Sequence, residues 1–472
     1  MFDFLKGILK GKEITTIDKD EIAKLLSTNK EALEEFEKAY AFYALNPEEI
    51  PDNFFEVNSR QAAALNADKQ NPTSVELEDI KNRIVNELMN ECITWKFDGK
   101  STTTNSNFGN PIENPVTLEE IMALPEEMRP QLTGNHMKVH INEPSYITVL
   151  EDYRNYLNEK NPQKRQMWYE MFRVALDLID LDEITRRIIA TNKISMGYWL
   201  PNIVEPALDN GELKIPKTTI LKVPTTMLQL TRSDYPELTR TTLDIVDEVC
   251  RRAFELDEAK DYFIKTGIYS SKFDFRNARV TEPKEVRELG EYLLFIHNQA
   301  VEMTSFTVYP RFYGVATTDE WVVREYIKDT ENNPTIYKGL PLHTEYRVFV
   351  DFDTKEIIGM SPYWEPATMK QRFGHESDAN SPHNIHDYTI YTMHESILMK
   401  RYEENKERVK QYVKNLITNT DNLNGQWSID IMQNGDDFWL IDMAIAENSA
   451  YYNCVPKSLR RRSQENWLPV LK

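Results

Sequence analysis

The sequence predicts an α+β protein whose N-terminal part is mainly helical. In the first two hundred residues, apolar side chains recur at intervals of three and four, which is the spacing of an amphipathic helix. From Gly197 onward, short runs rich in β-branched and aromatic residues alternate with helical segments, which is typical of an α+β domain. At 472 residues, 40% of them hydrophobic, the chain is long enough for two or three domains. We predict a helical N-terminal domain of unknown role at 1–196, an α+β domain at 197–460 and a C-terminal tail at 461–472.

Composition and cysteine usage restrict the class of protein. The net charge of −20 disfavours a protein that binds nucleic acid mainly through phosphates, although the basic patch Arg460–Arg462 allows a local contact. The three cysteines, Cys92, Cys250 and Cys454, lie far apart without CxxC spacing, which argues against structural zinc or a disulfide framework. No apolar run approaches the roughly 20 residues of a membrane span, and no signal peptide is visible. We therefore expect a cytoplasmic protein that does not enter a membrane.

Helical patterns account for most of the first domain. The predicted helices are Asp20–Leu45, a helix opened by the capping box of Thr73 and Glu76, Tyr146–Leu157 and Gln163–Ala190. Between them, Phe97–Thr117 is rich in Ser, Thr, Asn, Gly and Pro, which predicts a long exposed loop. No recognisable chemistry is carried by these residues, so the domain is expected to serve a partner or substrate capture.

Strand signals dominate the second domain. The predicted strands are Lys214–Val223, Tyr262–Thr266, Glu320–Ile327, Glu345–Asp351 and Glu356–Ser361, and the helices between them are Tyr235–Phe254 and Lys284–Gln299. Several of these strands carry Lys or Arg among apolar neighbours, which strands rarely do without a use for the charge. The charged strand positions are therefore the first candidates for a functional site.

Two lysines follow one another around a short apolar strand. Lys265 closes the strand, and Lys272 lies seven residues later in a loop that contains Gly and Ser. Lysines on a strand and on a neighbouring loop can bind the phosphates of a nucleotide from two sides as point charges. Neither a P-loop nor a GxGxxG motif is present. The alternative for each lysine is an ordinary surface residue that extends its charge into water.

Two arginines occupy similar positions in later strands. Glu345, Arg347 and Phe349 share one strand face, so Arg347 points out of the sheet beside Glu345. This arrangement suits recognition of an anion, and the alternative is an ion pair along one strand on a solvated face. Arg324, in the preceding strand, has the same two interpretations.

The segment Trp427–Ala444 predicts a β-hairpin that presents two carboxylates. Asn434–Asp437 is a turn signal between two runs rich in Ile and Trp, and Asp430 and Asp442 lie about equally far from it. Such positions are cross-strand neighbours with Cβ atoms roughly 5 Å apart, where like charges repel unless a cation neutralises them. Two carboxylates at that separation suit Mg²⁺ with a bound phosphate. The alternative is a register that sends the two aspartates to opposite faces.

A rival metal site lies in the histidine-rich segment Gln371–His394. His383 and His386, with Asp387, have spacing compatible with zinc. The segment shows no regular helix or hairpin to fix these ligands, so we favour a long insertion loop over the site.

In this order along the chain, the segments resemble the ATP-grasp fold, in the branch that contains cell division cycle protein 123 and its bacterial and phage relatives. A Phe-x-Lys strand followed by a basic loop and an aspartate stands at Phe263–Asp274, with one residue inserted. An Arg-Glu strand stands at Arg324–Glu325 and an E-[FY]-R-x-F-V strand at Glu345–Val350. The W-L-I-D motif of the hairpin stands at Trp439–Asp442. The resemblance covers about Gly197–Val455. It implies two α+β subdomains that grip ATP, preceded by the helical N-terminal domain.

The resemblance also implies roles for individual residues. The implied cofactors are ATP and Mg²⁺. Lys265 and Lys272 would bind the phosphates, and Glu325, Tyr326 and Ile327 would contact the adenine. Asp430 and Asp442 would hold the metal, and Arg324 and Arg347 would lie at the reacting end. A further phosphate-binding lysine corresponds to either Lys217 or Lys222.

One departure from the family pattern concerns the metal site. The family ends its metal motif in D-x-N or E-x-N, whereas this chain has Ala444 after Asp442 and Met443. Glu447 or Asn448 is the expected substitute ligand. Otherwise the site binds a single Mg²⁺, or binds nucleotide without efficient turnover.

The function implied by the resemblance is ATP-dependent carboxylate–amine ligation. An acceptor carboxylate held by Arg347 or Arg324 becomes an acyl phosphate, which an amine then attacks, and Mg²⁺ with the lysines stabilises the transferred phosphoryl group. No protein nucleophile is needed, in agreement with the lack of a convincing Ser/His/Asp or Cys/His set. The partners are ATP and an unknown carboxylate and amine, a protein or peptide included. The alternative is a nucleotide-binding assembly factor that binds a protein partner without ligase turnover.

Overall fold

The computed structural model describes nine stretches of the chain: residues 19–27, 30–45, 75–106, 112–131, 146–178, 192–231, 238–305, 318–373 and 382–461. The contacts divide the chain into two compact units. The first unit comprises 1–70 and 373–386, and the second comprises 71–372 and 387–472. None of the described helices is long and apolar enough to cross a membrane.

The first unit contains two helices where the sequence predicts one. Helix α1 spans Lys19–Leu26 and helix α2 spans Lys30–Leu45. The two helices contact each other, and their most buried side chains include Ile22 and Phe36. Together they cover the predicted segment Asp20–Leu45 apart from its middle, where residues 28 and 29 lie outside the described residues.

The second unit contains helices from both predicted domains. Their bounds are α3 Val75–Glu91, α4 Leu118–Ala123, α5 Tyr146–Asn158, α6 Pro162–Leu178, α7 Met196–Asn210, α8 Thr225–Leu230, α9 Arg240–Ala253, α10 Pro283–Arg287, α11 Leu289–Ser305, α12 Pro366–Phe373 and α13 Pro382–Thr418. The last residue of α12 and the first turn of α13 belong to the first unit. Helix α5 matches the predicted Tyr146–Leu157 closely, and α6 begins where Gln163–Ala190 was predicted, of which 179–190 lies outside the described residues. Helix α13 corrects the sequence prediction, because it replaces most of the insertion loop expected over Gln371–His394.

A six-stranded antiparallel sheet forms one layer of this unit. Its spatial order is β2 Thr102–Ser106, β1 Ile93–Phe97, β3 Thr218–Lys222, β6 Glu320–Glu325, β4 Tyr262–Thr266 and β5 Arg279–Val280. Strands β1 and β2 form a hairpin in a region predicted as helix and loop, and β1 pairs directly with β3. The sheet therefore joins residues on both sides of the predicted boundary at 196/197. That domain division stays a prediction.

A four-stranded antiparallel sheet forms a second layer. Its order is β10 Glu356–Pro362, β9 Glu345–Asp351, β11 Gln426–Asn434 and β12 Asp437–Ile445. A further two-stranded ribbon pairs β7 Thr335–Ile336 with β8 Leu340–Pro341. The α+β class predicted from the sequence is confirmed, with antiparallel sheets throughout.

Side-chain alternation gives the four-stranded sheet one apolar face and one polar face. Tyr346 and Val348 of β9, with Ile429 of β11, belong to the main hydrophobic core, which also contains α7 and the C-terminal half of α13. The intervening residues on the same strands, among them Arg347 and Asp430, face the other way. Arg347 and Asp430 therefore project from one face of a sheet whose opposite face packs in the core.

Candidate functional site

A solvent-open cleft lies between the two large sheets. Its lining comes from both sheets and the loops beside them: Pro216, Phe263, Lys265, Ser270, Lys272, Phe275, Arg324, Glu325, Tyr326, Ile327, Leu340, Pro341, His343, Glu345, Tyr363, Trp364, Asp430, Met432, Ile441 and Asp442. Eight residues selected from the sequence line this one cleft, although they are spread over more than 170 positions. They are Lys265, Lys272, Arg324, Glu325, Tyr326, Ile327, Asp430 and Asp442.

Arg347, Asp430 and Asp442 form a row across three adjacent strands. Asp430 is the direct cross-strand neighbour of Arg347 on β9 and of Asp442 on β12, so the predicted hairpin register is the one observed. The Arg347 guanidinium binds Asp430 through two hydrogen bonds, from Nε to Oδ1 at 2.8 Å and from Nη2 to Oδ2 at 2.7 Å. Burial opposes charging of Arg347, but Asp430 outweighs it and raises the pKa of the guanidinium. Arg347 therefore pairs with Asp430 rather than with Glu345 on its own strand.

Asp442 receives its counter-charge from the opposite wall of the cleft. Lys265 of β4 donates from Nζ to both carboxylate oxygens of Asp442, each at 3.2 Å. Lys265 is only 2% exposed, whereas the Asp442 side chain is 41% exposed, so the ion pair joins a buried cation to a carboxylate that water reaches. Both aspartates of the predicted metal pair are thus neutralised by cations of the chain itself.

A β-bulge beside the two aspartates makes a second link between the two sheets that form the cleft. The register shifts between Asp430 and Ile431, so that Ile441 is the extra residue on β12. The bulge lets Ile441 and Asp442, although consecutive, both line the cleft. Arg324 of β6 donates from Nη1 to the Ile441 carbonyl at 2.5 Å and from Nε to the Thr218 hydroxyl at 3.1 Å. Arg324 therefore links the six-stranded sheet to the hairpin.

The remaining edge of Arg324 is available for a ligand. Arg324 is 3% exposed, and its Nη2 atom has no hydrogen-bond partner within the described part of the chain. Burial lowers the pKa of the guanidinium to about 10, which still leaves it charged at neutral pH. A buried, charged donor that lines a cleft suits an anionic group.

Lys272 and Glu345 of the cleft also have strongly shifted pKa values. Burial lowers the pKa of Lys272 to about 8, and burial raises the pKa of Glu345 to about 7. Lys272 Nζ lies 4.3 Å from the ring centroid of Tyr363, and the Arg347 guanidinium lies 4.8 Å from the same centroid. Both cations therefore also contact an aromatic ring. Glu345 and Tyr363 were not assigned roles from the sequence, since nothing in their local pattern places them beside Lys272.

The other end of the cleft is apolar and aromatic. Phe263 and Phe275 stack at a centroid distance of 6.1 Å, and Phe275 contacts the Tyr326 ring at 6.3 Å. The Arg279 guanidinium covers Tyr326 at 4.6 Å from its centroid. The backbone N–H of Tyr326 donates to the Asp261 carbonyl at 3.1 Å, which fixes the chain where it leaves β6. This end has the character of a slot for a flat ring, whereas the opposite end carries the charges.

Three predicted site residues, Arg347, Lys222 and Glu447, lie outside the cleft lining, although Arg347 is bound to Asp430, which belongs to it. Lys222 binds Glu320 at 2.5 Å and Asp319 at 2.9 Å, and these carboxylates outweigh the effect of burial and raise its pKa. Its alternative, Lys217, pairs with Glu325 at 3.3 Å on the surface. Glu447 accepts a hydrogen bond from the Tyr169 hydroxyl at 3.3 Å.

Lys222 belongs instead to a buried network that we call the Glu320 cluster: Ser195, Gly197, Lys222, Thr318, Asp319 and Glu320. Glu320 is 1% exposed and accepts hydrogen bonds from the Ser195 hydroxyl, the Gly197 N–H and Lys222. A Cβ atom at Gly197 would lie 2.2 Å from Oε1 of Glu320, so this close approach of backbone to carboxylate requires glycine. The cluster ties the start of α7 to β6.

The residues of the charged end fit a divalent cation that is also held by a ligand. Within the described ranges, no group of three or more His, Cys, Asp or Glu side chains is close enough to enclose a metal. Asp430 and Asp442 alone supply two neighbouring carboxylates, and Mg²⁺ ordinarily completes such a set with phosphate and water. The zinc alternative gains no support among the described residues. The side chains of His375 and His383 lie outside them.

The chain is similar to two solved structures of Cdc123 from Schizosaccharomyces pombe. It is 15% identical to the C-terminally truncated protein, over 55% of this chain and 86% of that chain, with a TM-score of 0.30. It is 16% identical to the other Cdc123 structure, over 54% and 84% of the two chains, with a TM-score of 0.29. No family model and no curated protein matches the chain. At these TM-scores the likeness supports no conclusion about function.

Proposed function

We propose that the second unit is an ATP-grasp fold that binds Mg-ATP in the cleft and uses it to activate a carboxylate for ligation to an amine. The observation that carries this proposal is the division of one cleft into an aromatic slot and a charged end. The slot is bounded by Phe263, Phe275 and Tyr326, and the charged end holds Lys265 and Arg324 opposite the two aspartates. A nucleoside triphosphate has the same division into a flat base and a charged chain.

Each residue then has a task that follows from its position. Tyr326 and its neighbours along Glu325–Ile327 hold the base, while Lys265 and Lys272 bind phosphate oxygens. Asp430 and Asp442 hold Mg²⁺, which when bound spreads the charge of the transferred phosphoryl group. The open Nη2 edge of Arg324 orients an anionic group of ATP or of the acceptor.

A second candidate is a nucleotide-binding assembly factor without ligase turnover. The specific observation in its favour is that both aspartates already have protein counter-cations, while Ala444 supplies no further metal ligand. Glu447 does not line the cleft and so does not replace the missing asparagine in this arrangement. Under this alternative, bound ATP holds a conformation that a protein partner recognises.

Nucleotide product analysis distinguishes the two candidates. Purified protein is incubated with Mg-ATP, with and without a small-molecule extract of the host cell, while ADP, AMP and phosphate are measured. Ligation through an acyl phosphate gives extract-dependent ADP and phosphate, and Asp442→Asn abolishes the signal. AMP as the product contradicts this chemistry. Tight ATP binding without turnover under every condition supports the assembly role.

A further inference from the structure

The two aspartates of the cleft present an electrostatic problem that the chain solves internally. They are direct cross-strand neighbours, and Asp430 is 6% exposed, so two bare carboxylates would repel each other strongly there. Arg347 occupies both oxygens of Asp430, and Lys265 occupies both oxygens of Asp442. Each carboxylate therefore has one protein cation in a position that a metal ion would need.

A metal ion that arrives alone has to displace these cations. Mg²⁺ binds carboxylate oxygens at roughly 2.1 Å, where its charge repels the Arg347 guanidinium that already donates to both oxygens of Asp430. The displaced guanidinium is buried, and a buried charge without a partner is costly. Binding of the metal by itself is consequently opposed by the two existing ion pairs.

Nucleotide phosphate lessens this opposition because it gives the displaced Lys265 a new partner. A phosphate held by a metal on Asp442 would lie near Lys265, whose Nζ is 3.2 Å from that carboxylate. Arg347 retains the rings of Tyr363 and Tyr451, at 4.8 and 6.0 Å, and the Ala450 carbonyl at 3.4 Å. Lys265 thus gains a phosphate partner, and the two rings and the carbonyl offset part of the cost to Arg347 of losing Asp430.

We propose that Arg347 and Lys265 are built-in counter-cations of the metal site, which a divalent cation and nucleotide phosphate replace together in one coupled exchange. This inference rests on the proposed function and adds to it the way the site is controlled. The metal binds weakly without nucleotide because Arg347 competes for Asp430. Metal and nucleotide strengthen each other's binding by the same factor, as thermodynamic linkage requires.

Mn²⁺ binding followed by electron paramagnetic resonance tests the exchange with a spectroscopic substitute for Mg²⁺. Free Mn²⁺ is titrated against wild-type protein, Arg347→Gln and Arg347→Lys, each with and without ADP. Lys214→Gln is the matched control, since Lys214 pairs at 2.6 Å with Asp437 on the same hairpin but does not line the cleft. Arg347→Lys keeps the charge but cannot donate two parallel hydrogen bonds to Asp430. This variant provides the test if Arg347→Gln fails to fold.

The exchange predicts that Arg347→Gln binds Mn²⁺ alone at least about fivefold more tightly than wild type, the lower end of ordinary coupling. Arg347→Lys should lie between them, and Lys214→Gln should match wild type. The factor by which ADP strengthens Mn²⁺ binding should shrink in the same order. Unchanged Mn²⁺ affinity in both Arg347 variants, with ADP still bound, overturns the exchange. Absence of ADP binding with and without Mn²⁺ overturns the proposed function instead.

Discussion

Two clusters of buried charge in the second unit have similar composition and different surroundings. In the first cluster, Asp430, Asp442 and Lys265 line an open cleft beside a donor of Arg324 that has no partner among the described residues, and Arg347 is bound to Asp430. The Glu320 cluster also joins a lysine to two carboxylates, but it lies outside the cleft lining, and Glu320 accepts hydrogen bonds from three separate donors. We infer that the charged groups of the first cluster exchange their partners when a ligand binds, whereas the Glu320 cluster keeps its hydrogen bonds and stabilises the fold.

The comparison also shows why a charged residue on a strand is ambiguous in sequence. Lys222 and Lys265 lie at or near the ends of short apolar strands that pair with β6. Lys222 lies opposite Glu320, which binds it, whereas Lys265 lies opposite Val322 and extends to Asp442 in the cleft. Burial of a charged residue alone therefore does not indicate a functional site. A buried charge beside a cavity that a ligand can enter does indicate one.

Asp442→Asn should give the largest effect, because it removes one carboxylate from the metal pair and the counter-charge of buried Lys265. We expect the affinity for Mg-ADP to fall by at least about 100-fold, measured by calorimetry. Asp437→Asn, which changes a surface aspartate of the same hairpin, should leave the affinity unchanged. Undiminished binding by Asp442→Asn would refute the site assignment and remove the distinction between the two clusters.

Glu320→Gln tests the permanent cluster. The substitution keeps the side-chain volume, but it removes the charge that compensates Lys222, while Asp319 remains as a second partner. We expect the free energy of unfolding to fall by about 2 kcal/mol, measured by urea denaturation. The affinity of the folded protein for Mg-ADP should stay within twofold of wild type. A large loss of affinity without a loss of stability would place the Glu320 cluster in the site.

Tyr326→Ala sharpens the contrast between the two ends of the cleft. Stacking of a base on an aromatic ring contributes roughly 1–3 kcal/mol, so ADP affinity should fall about tenfold. Binding of inorganic triphosphate should not change, because triphosphate has no base. An equal loss for both ligands would show that Tyr326 acts through the charged end or through the fold.

The pH dependence of Mg-ADP binding should show the smallest effect. Burial lowers the pKa of Lys272 to about 8, so this lysine is charged below pH 8 and loses its proton as the pH rises above that value. The lost charge weakens attraction for phosphate, and we expect affinity to fall roughly fivefold between pH 7.5 and 9.5. Lys272→Arg keeps its charge in this range. The decline should disappear in that variant, and a decline that persists would have to come from another group.

The strands and the hairpin could be predicted from sequence because their signals are local. Tyr262–Thr266 and Glu345–Asp351 have the predicted bounds exactly as observed, and Asp430 lies opposite Asp442. The hairpin β1–β2 was missed because β2 is Thr-Thr-Thr-Asn-Ser, fully exposed and without alternation. Helix α13 was missed because its first turns are rich in His, Asn and Thr, which are weak helix formers.

The partners of the site residues could not be predicted, because each ion pair joins distant parts of the chain. Arg347 and Asp430 are separated by 83 residues, and Lys265 and Asp442 by 177. Local pattern places Glu345 beside Arg347, whereas the sheet places Asp430 directly opposite it. The sequence therefore indicated which residues meet in the cleft, but not which charges neutralise one another.

The bulge at Ile441 gives the cleft a mechanical property. The extra residue turns a backbone carbonyl toward Arg324 and leaves the very next side chain, Asp442, beside Asp430. Any widening of the cleft pulls on Ile441 through Arg324, and the strain is transmitted across a single peptide unit to the metal-binding carboxylate. We therefore expect the distance between the walls and the geometry of the two aspartates to change together, so that a ligand spanning the cleft also sets the spacing of its own metal ligands.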